Sequence, residues 1–434
     1  MRPLEDYSHI RGFNYTASYA RNDVFFWEDY RPEVVEREMG YAQRLGLNSA
    51  RIFLPYRSYR KNPEQFLNNV SDFVRTAWKH GVSTTPIVFF GREFYPDMKE
   101  EDGAVDMLKP QNRHLSEEYF SALHRTVGSE EGLLFWDIAN EPGYHTPEFV
   151  TYYPGEPEFR KGFSDLPEDM EAFREKQERV WSFLREMIAY IRRVDPVNAI
   201  GIGNTFAYEI EPSKTAELVD ILIYHDYFET RGRVRQMCEL MKELKEKYHK
   251  PVINNETGCL ARSNPYDMTL ELMKEYGFGF YVFELMIGSS GWNRVHGICY
   301  ADGTVRDPSV VAAVQGFFRN RSQTAIPTDV NQEGAAYKAI TMAMRAIESA
   351  VNGHAGVDRS RDASELLEAA EYIANLLEAG EHVPMHYPPT ARIEAYRRQE
   401  NPNTEEIKDW LYELVETLKR ACHIVGFGSH GSRI

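Results

Sequence analysis

Cysteine is scarce in this sequence, and the four present, Cys238, Cys259, Cys299 and Cys422, lie far apart without a CxxC pair. Neither a disulfide framework nor a zinc site is expected from that spacing, and nothing else in the sequence asks for a metal or a cofactor. Basic charge is also short. Lys and Arg number 50 against 66 Asp and Glu, a net charge of −16. Nucleic-acid binding rests on Lys and Arg contacts with phosphates, so no nucleic-acid partner is expected. Docking on an anionic membrane surface is disfavoured for the same reason. Long apolar runs are missing: none approaches the roughly 18 residues of a membrane helix. The start, Met1-Arg2-Pro3-Leu4-Glu5-Asp6-Tyr7, has no apolar signal core. The expectation is a soluble, cytoplasmic protein. Repeats and low-complexity tracts are absent too. Gly426-Phe427-Gly428-Ser429-His430-Gly431 matches the GxGxxG spacing, but that fingerprint binds a dinucleotide only between a strand and a following helix. It is expected to be a flexible tail.

What the chain does have is alternation. Apolar residues make up 42% of its 434 residues, enough for a large packed core. From about residue 12 to 320, short β-rich runs alternate with amphipathic helical ones. The strand-like runs are Phe13-Asn14-Tyr15, Ser49-Ala50-Arg51-Ile52-Phe53-Leu54, 84–90, Leu133-Leu134-Phe135-Trp136-Asp137-Ile138, 199–203, 219–224, 251–255 and 278–283. Helical stretches fall near 33–45, 63–80, 114–127, 168–194, 233–248, 266–276 and 308–319. Eight strands, each followed by a helix-sized segment, predict a (β/α)8 TIM barrel over residues 1–321, a fold that takes about 250 residues or more as one unit.

Residues 322–434 change to helices without strands and predict a helical C-terminal extension packed on the barrel. Ala336, Ile340, Met344, Ile347 and Val351 keep one helical stripe. Leu366, Ala370, Ile373 and Leu377 make a second, opened by Asp362 and closed by Gly380. Ile407, Trp410, Leu411, Leu414 and Leu418 make a third, with Asn403 and Glu406 in capping positions. Such helices bury one another, and they also offer a means of closing a cleft or of self-association into a homo-oligomer.

Barrel enzymes carry their reactive groups at the C-terminal ends of the strands. Here those positions hold Asn14, Arg51, Glu93, Asn140, Glu141, His225, Tyr227, Glu256 and Glu284. Two of the carboxylates directly follow strand-like runs, in Asn140-Glu141-Pro142 and Asn255-Glu256-Thr257. A carboxylate at the end of a buried strand is costly unless something there uses it. Two of them, far apart in sequence, point to the acid and nucleophile of a glycosidase, and only a closed sheet brings such residues together. Each residue has a plainer reading: Glu141 as a helix cap, Arg51 and Glu256 as a structural ion pair, His225 as a satisfied core histidine.

In order and on the expected strands, Arg51, Asn140-Glu141-Pro142, His225-Asp226-Tyr227 and Glu256 resemble glycoside hydrolase family 5 and its clan of retaining β-glycosidases. The resemblance spans roughly residues 10–320 and leaves out the C-terminal helices. It implies Glu141 as general acid/base, Glu256 as nucleophile, and Asn140 on the sugar 2-hydroxyl. Arg51 beside Glu256 is expected to favour its charged form, with Tyr227 donating to the same carboxylate. Glu141 is expected to start protonated, through burial and the nearby negative Glu256. Family members commonly carry a Trp under the reacting sugar at the end of strand eight. This chain has Phe283 there, expected to be core, and Trp292 shortly after, the better platform; Trp27 and Trp136 are further platform candidates, although Trp136 lies inside strand four, where a Trp is more often core.

The run Phe283-Glu284-Leu285-Met286-Ile287-Gly288 resembles the exo-β-mannosidase branch of family 5, which acts on short β-mannosides such as Man-β-1,4-GlcNAc of N-glycan cores. An oligosaccharide is thus the expected substrate, with Asn14, Glu93 and Glu284 completing its site. Long loops at 92–113 and 143–166 could block one end of a cleft and force exo action. The alternatives are an endo-β-1,4-glucanase or β-mannanase with an open cleft, and a non-catalytic sugar-binding barrel.

Overall fold

The computed structural model describes residues 3–91, 105–143, 170–228, 231–258, 266–288, 296–318, 330–351, 359–379 and 388–422. Glu93, Trp292, the GxGxxG run and most of the 92–113 and 143–166 loops lie outside the described residues. Eight parallel strands close into a barrel in chain order: β1 (Arg11–Asn14), β2 (Ser49–Phe53), β3 (Ser83–Phe89), β4 (Trp136–Asn140), β5 (Ile200–Asn204), β6 (Ile221–Asp226), β7 (Val252–Thr257) and β8 (Gly279–Val282). β8 pairs back onto β1. Each of the eight expected runs overlaps one of these strands, and the fold is a (β/α)8 barrel. Among the described residues no helix is long and apolar enough to cross a membrane.

The helices between strands form where the 3.6-residue period and the end signals agree. Pro32–Leu45 starts on a proline, whose fixed φ suits the first turn, and buries Val34, Val35, Met39, Ala42 and Leu45. Gly46 ends it at φ 77, its N–H reaching back to the carbonyls of Ala42 and Gln43. Pro63–Lys79 is capped by Asn62, whose side-chain oxygen accepts from the Gln65 N–H at 3.3 Å.

The chain divides into two compact units. One comprises Met1–Asp226, Met237–Thr257 and Met273–Leu285 and holds all eight strands. Its apolar core includes Tyr7, Ile10, Leu134, Phe135, Ala199, Ile221, Ile223, Ile253 and Tyr281. Tyr281 turns its hydroxyl to Ser49 Oγ (2.7 Å) and Thr85 Oγ1 (2.9 Å). Its ring fills the place where a side chain on Gly12 would begin, so β1 needs glycine there. Side chains two apart share a face of a strand. One step of two beyond Ser49 and Ile223 therefore stand Arg51 and His225, and Asp137 and Asn255 are buried as well.

The other unit comprises Tyr227–Gln236, Gly258–Leu272 and Met286–Ile434, which include the stretches that follow β6, β7 and β8. Within it the helices Val330–Val351, Arg359–Ala379 and Thr404–Cys422 pack on one another, burying Ile340, Ile373, Leu377, Ile407, Leu411 and Leu418. Asn403 caps the last as expected, accepting from the N–H groups of Glu405 (3.1 Å) and Glu406 (3.3 Å). The middle helix begins at Arg359, so Asp362 lies inside its first turns rather than at its cap. The short helix Pro389–Arg397, with proline in its first turn, has too weak a stripe to be expected from sequence.

Candidate active site

Arg51 organises the C-terminal end of the barrel. Fully buried on β2, it gives Nε to Asp137 Oδ2 (2.8 Å), Nη1 to Asn14 Oδ1 (2.9 Å) and Glu256 Oε1 (2.5 Å), and Nη2 to Asn140 Oδ1 (2.7 Å). Burial works against its charge, but Asp137 and Glu256 more than offset that and raise its pKa. Asp137 is also tied by the Asn255 amide (2.8 Å) and the Gly203 N–H (2.9 Å). Asn14 donates to the Asn255 carbonyl at 3.0 Å. One guanidinium thus links side chains of β1, β4 and β7 to its own strand.

Strict alternation would not allow this set. Asp137 and Asn140 are three apart, and Asn255 and Glu256 are adjacent, so each pair would face opposite sides of a regular strand. The ladder shows how both members turn inward. Between Asp137 and Asn140, three steps of β4 match two of β5, from Gly201 to Gly203. Between Asn254 and Glu256, two steps of β7 match one of β6, from Tyr224 to His225. Each strand carries one extra residue, a bulge that re-aims the side chains beyond it.

His225 meets the two candidate carboxylates. Its Nδ1 lies 2.8 Å from Glu141 Oε1 and 3.5 Å from Glu256 Oε2. Glu256 is 7% exposed and Glu141 23%, so Glu141 is less buried than expected. The neighbouring wall is Gly203. A Cβ there would sit 2.8 Å from Arg51 Nη2 and 3.1 Å from both Asp137 Oδ2 and His225 Nε2, so any side chain would enter the network.

Among the described residues, Glu141, His225 and Glu256 bring one potential ligand atom each within 4.8 Å of one another. The same three atoms could hold a divalent cation, although Arg51 already supplies a positive charge to this corner.

Glu284 is fully buried just past β8, and burial, with the Glu256 charge second, pushes its carboxyl well above the usual range. Tyr227 is half-buried and lies one residue past the end of β6, in the second unit. Phe283 is partly exposed, which corrects the expectation that it is core: β8 ends at Val282, and the next side chain is no longer enclosed by the ladder. Trp136 and Trp27 are core, their indole N–H groups bonded to Asp195 Oδ2 (2.8 Å) and the Phe53 carbonyl (2.6 Å). Sequence reasoning missed Asp137, Asn255 and a further buried carboxyl, Glu209.

Removing the cation should be severe. Arg51→Met leaves Asp137 and Glu256 buried without their partner, a change expected to cost about 3–5 kcal/mol and to lower the urea midpoint of unfolding. An unchanged midpoint would mean that the network does not hold these strand ends.

No family model and no curated protein matches this sequence. Solved structures do match in shape. A GH5_18 protein from Streptomyces cattleya in complex with GlcNAc aligns with TM-score 0.53 at 15% identity, over 73% of this chain and 81% of that one. A GH5_18 protein from Bifidobacterium longum subsp. longum in complex with Manβ1-4GlcNAc gives 0.53 at 14%, over 73% and 79%. An exo-β-1,4-mannosidase from Opitutaceae bacterium strain TAV5 gives 0.52 at 13%, over 83% and 75%. Likeness at such identities establishes the fold.

Proposed function

We propose that the chain is a retaining β-glycosidase of glycoside hydrolase family 5 that cleaves short β-linked oligosaccharides, with Glu256 as nucleophile and Glu141 as general acid/base. The observation that carries this reading is the spacing of the two carboxylates, whose oxygens come within 4.8 Å of each other beside His225. Retaining enzymes hold the carboxyl groups about 5–5.5 Å apart, whereas inverting ones leave about 6.5–9.5 Å for a water.

In the first step Glu256 attacks the anomeric carbon while Glu141 gives its proton to the departing glycosidic oxygen. In the second, Glu141 takes a proton from water, whose oxygen displaces Glu256 and frees the sugar. Arg51 fixes one oxygen of Glu256. Asn140 commits its carbonyl oxygen to Arg51, which orients its amide group as a donor. In the proposed complex that group meets the 2-hydroxyl, a contact that strengthens in the oxocarbenium-like transition state.

The substrate we propose is a β-mannoside, cleaved in exo fashion as by an exo-β-1,4-mannosidase. The mannosidase and the Manβ1-4GlcNAc complex among the matching barrels support that choice. Proton NMR of 4-nitrophenyl β-mannoside hydrolysis at early times tests mechanism and sugar together. The first-formed mannose is expected in the β configuration. An initial α signal would mean inversion and a wrong role for Glu256, and turnover of the glucoside alone would reject the mannose assignment.

A further inference from the structure

Glu141 sits in a backbone conformation that something must hold. Its φ is 47, in the left-handed region, which costs a residue other than glycine roughly 1–2 kcal/mol. The turn Glu141-Pro142-Gly143 is pinned at three points. The Glu141 N–H donates to the Gly203 carbonyl at 2.7 Å. Gln177 Nε2 donates to the Pro142 carbonyl at 2.9 Å. At Gly143, the carboxyl of Glu209 takes the space of a side chain: a Cβ there would lie 2.4 Å from Cδ and Oε2 and 2.5 Å from Oε1.

Glu209 is itself fixed. It ends the short turn Ala207–Glu209 after β5, is 2% exposed, and accepts the Thr205 N–H on Oε2 at 3.0 Å. Among the described residues its Oε1 has no partner at strict hydrogen-bond geometry, while the Phe206 N–H and the Thr205 side chain also act on the carboxyl.

We propose that Glu209 is a positioning residue for Glu141, a buried carboxyl that props the Glu141–Gly143 turn and thereby aims the acid/base group at the glycosidic oxygen. The proposal rests on the reading of Glu141 as acid/base. Burial first, and the charge of Glu141 second, push the Glu209 carboxyl well above the usual range, in the direction of the neutral acid. Glu141 is the ionisable group that acts on it. A neutral prop leaves no second negative charge beside Glu141 after Glu141 has given up its proton. It also means that an amide of the same shape should serve as well.

The test compares two leaving groups in Glu209→Ala, Glu209→Asp and Glu209→Gln, with Glu141→Ala alongside. Misplacing the acid should slow Manβ1-4GlcNAc hydrolysis by about 10–100-fold in the Ala and Asp variants, the scale of a displacement of about 1 Å. The phenol burst from 2,4-dinitrophenyl β-mannoside, which needs little acid assistance, should stay unchanged in both. Gln should restore disaccharide turnover. A merely structural role would slow both substrates alike, and that outcome overturns the proposal, as does a Gln variant as slow as Ala. If Glu141→Ala shows the leaving-group dependence and the Glu209 variants do not, Glu209 alone is misassigned. If Glu141→Ala lacks it, the acid/base reading fails, and this proposal with it.

Discussion

Glu256→Ala is expected to lose turnover by about 10⁴-fold or more on every glycoside tried, the scale on which removing an enzyme's nucleophile acts. The loss should not depend on the leaving group, because attack at the anomeric carbon precedes every product. Added azide is expected to restore part of the rate. The anion is small enough to enter the space vacated beside Arg51, and it attacks from the face that Glu256 used. The product is then an α-glycosyl azide from a β-glycoside, identified by mass spectrometry and by its anomeric proton. Turnover within tenfold of the unaltered enzyme would remove Glu256 as nucleophile. A β-azide would place the attacking group on the other face.

Glu141→Ala should instead separate substrates by how badly they leave. A sugar hydroxyl is a poor leaving group and needs the proton, so disaccharide hydrolysis is expected to slow by about 10²–10⁴-fold. A dinitrophenolate leaves unaided, so its first step should stay fast. Water must then release the sugar from Glu256 without a base, and stopped-flow traces should show a burst of phenol before a slow steady rate. Equal losses on both substrates, with no burst, would make the two carboxylates binding groups rather than acid and nucleophile.

The fold and the carboxylate pair were legible because both are local signals. Periods of two and 3.6 residues mark the elements within short windows, and an Asn-Glu pair after an apolar run marks a strand end. What the sequence hid depends on contacts between distant strands. Asp137 lies within the run Leu133-Leu134-Phe135-Trp136-Asp137-Ile138 and reads as an interruption of core; its partner Arg51 is 86 positions away. Strict alternation would set Asn255 and Glu256 on opposite faces, and the bulge that overrides it depends on the pairing of adjacent strands. Glu209 belongs to no strand end, and its meaning comes from Gly143, in the chain after another strand. Phe283 was expected to be core because the run 278–283 gives no sign that the ladder stops at Val282.

The extra residue in β4 and in β7 matters to anyone transplanting these groups. On an idealised barrel with unbroken strands, a parity rule applies: odd-numbered and even-numbered positions of one strand cannot share the interior. Grafting Asp137 and Asn140, or Asn255 and Glu256, onto such a scaffold would send one member of each pair outward toward the helices, whatever rotamers were chosen. The guanidinium would then lose one or two of its four partners, Asp137 or Asn140 with or without Glu256. Two single-residue insertions therefore belong to the minimal specification of this centre as much as the side chains do, and a residue-by-residue transfer that copies identities but not strand lengths should yield a folded, inert barrel.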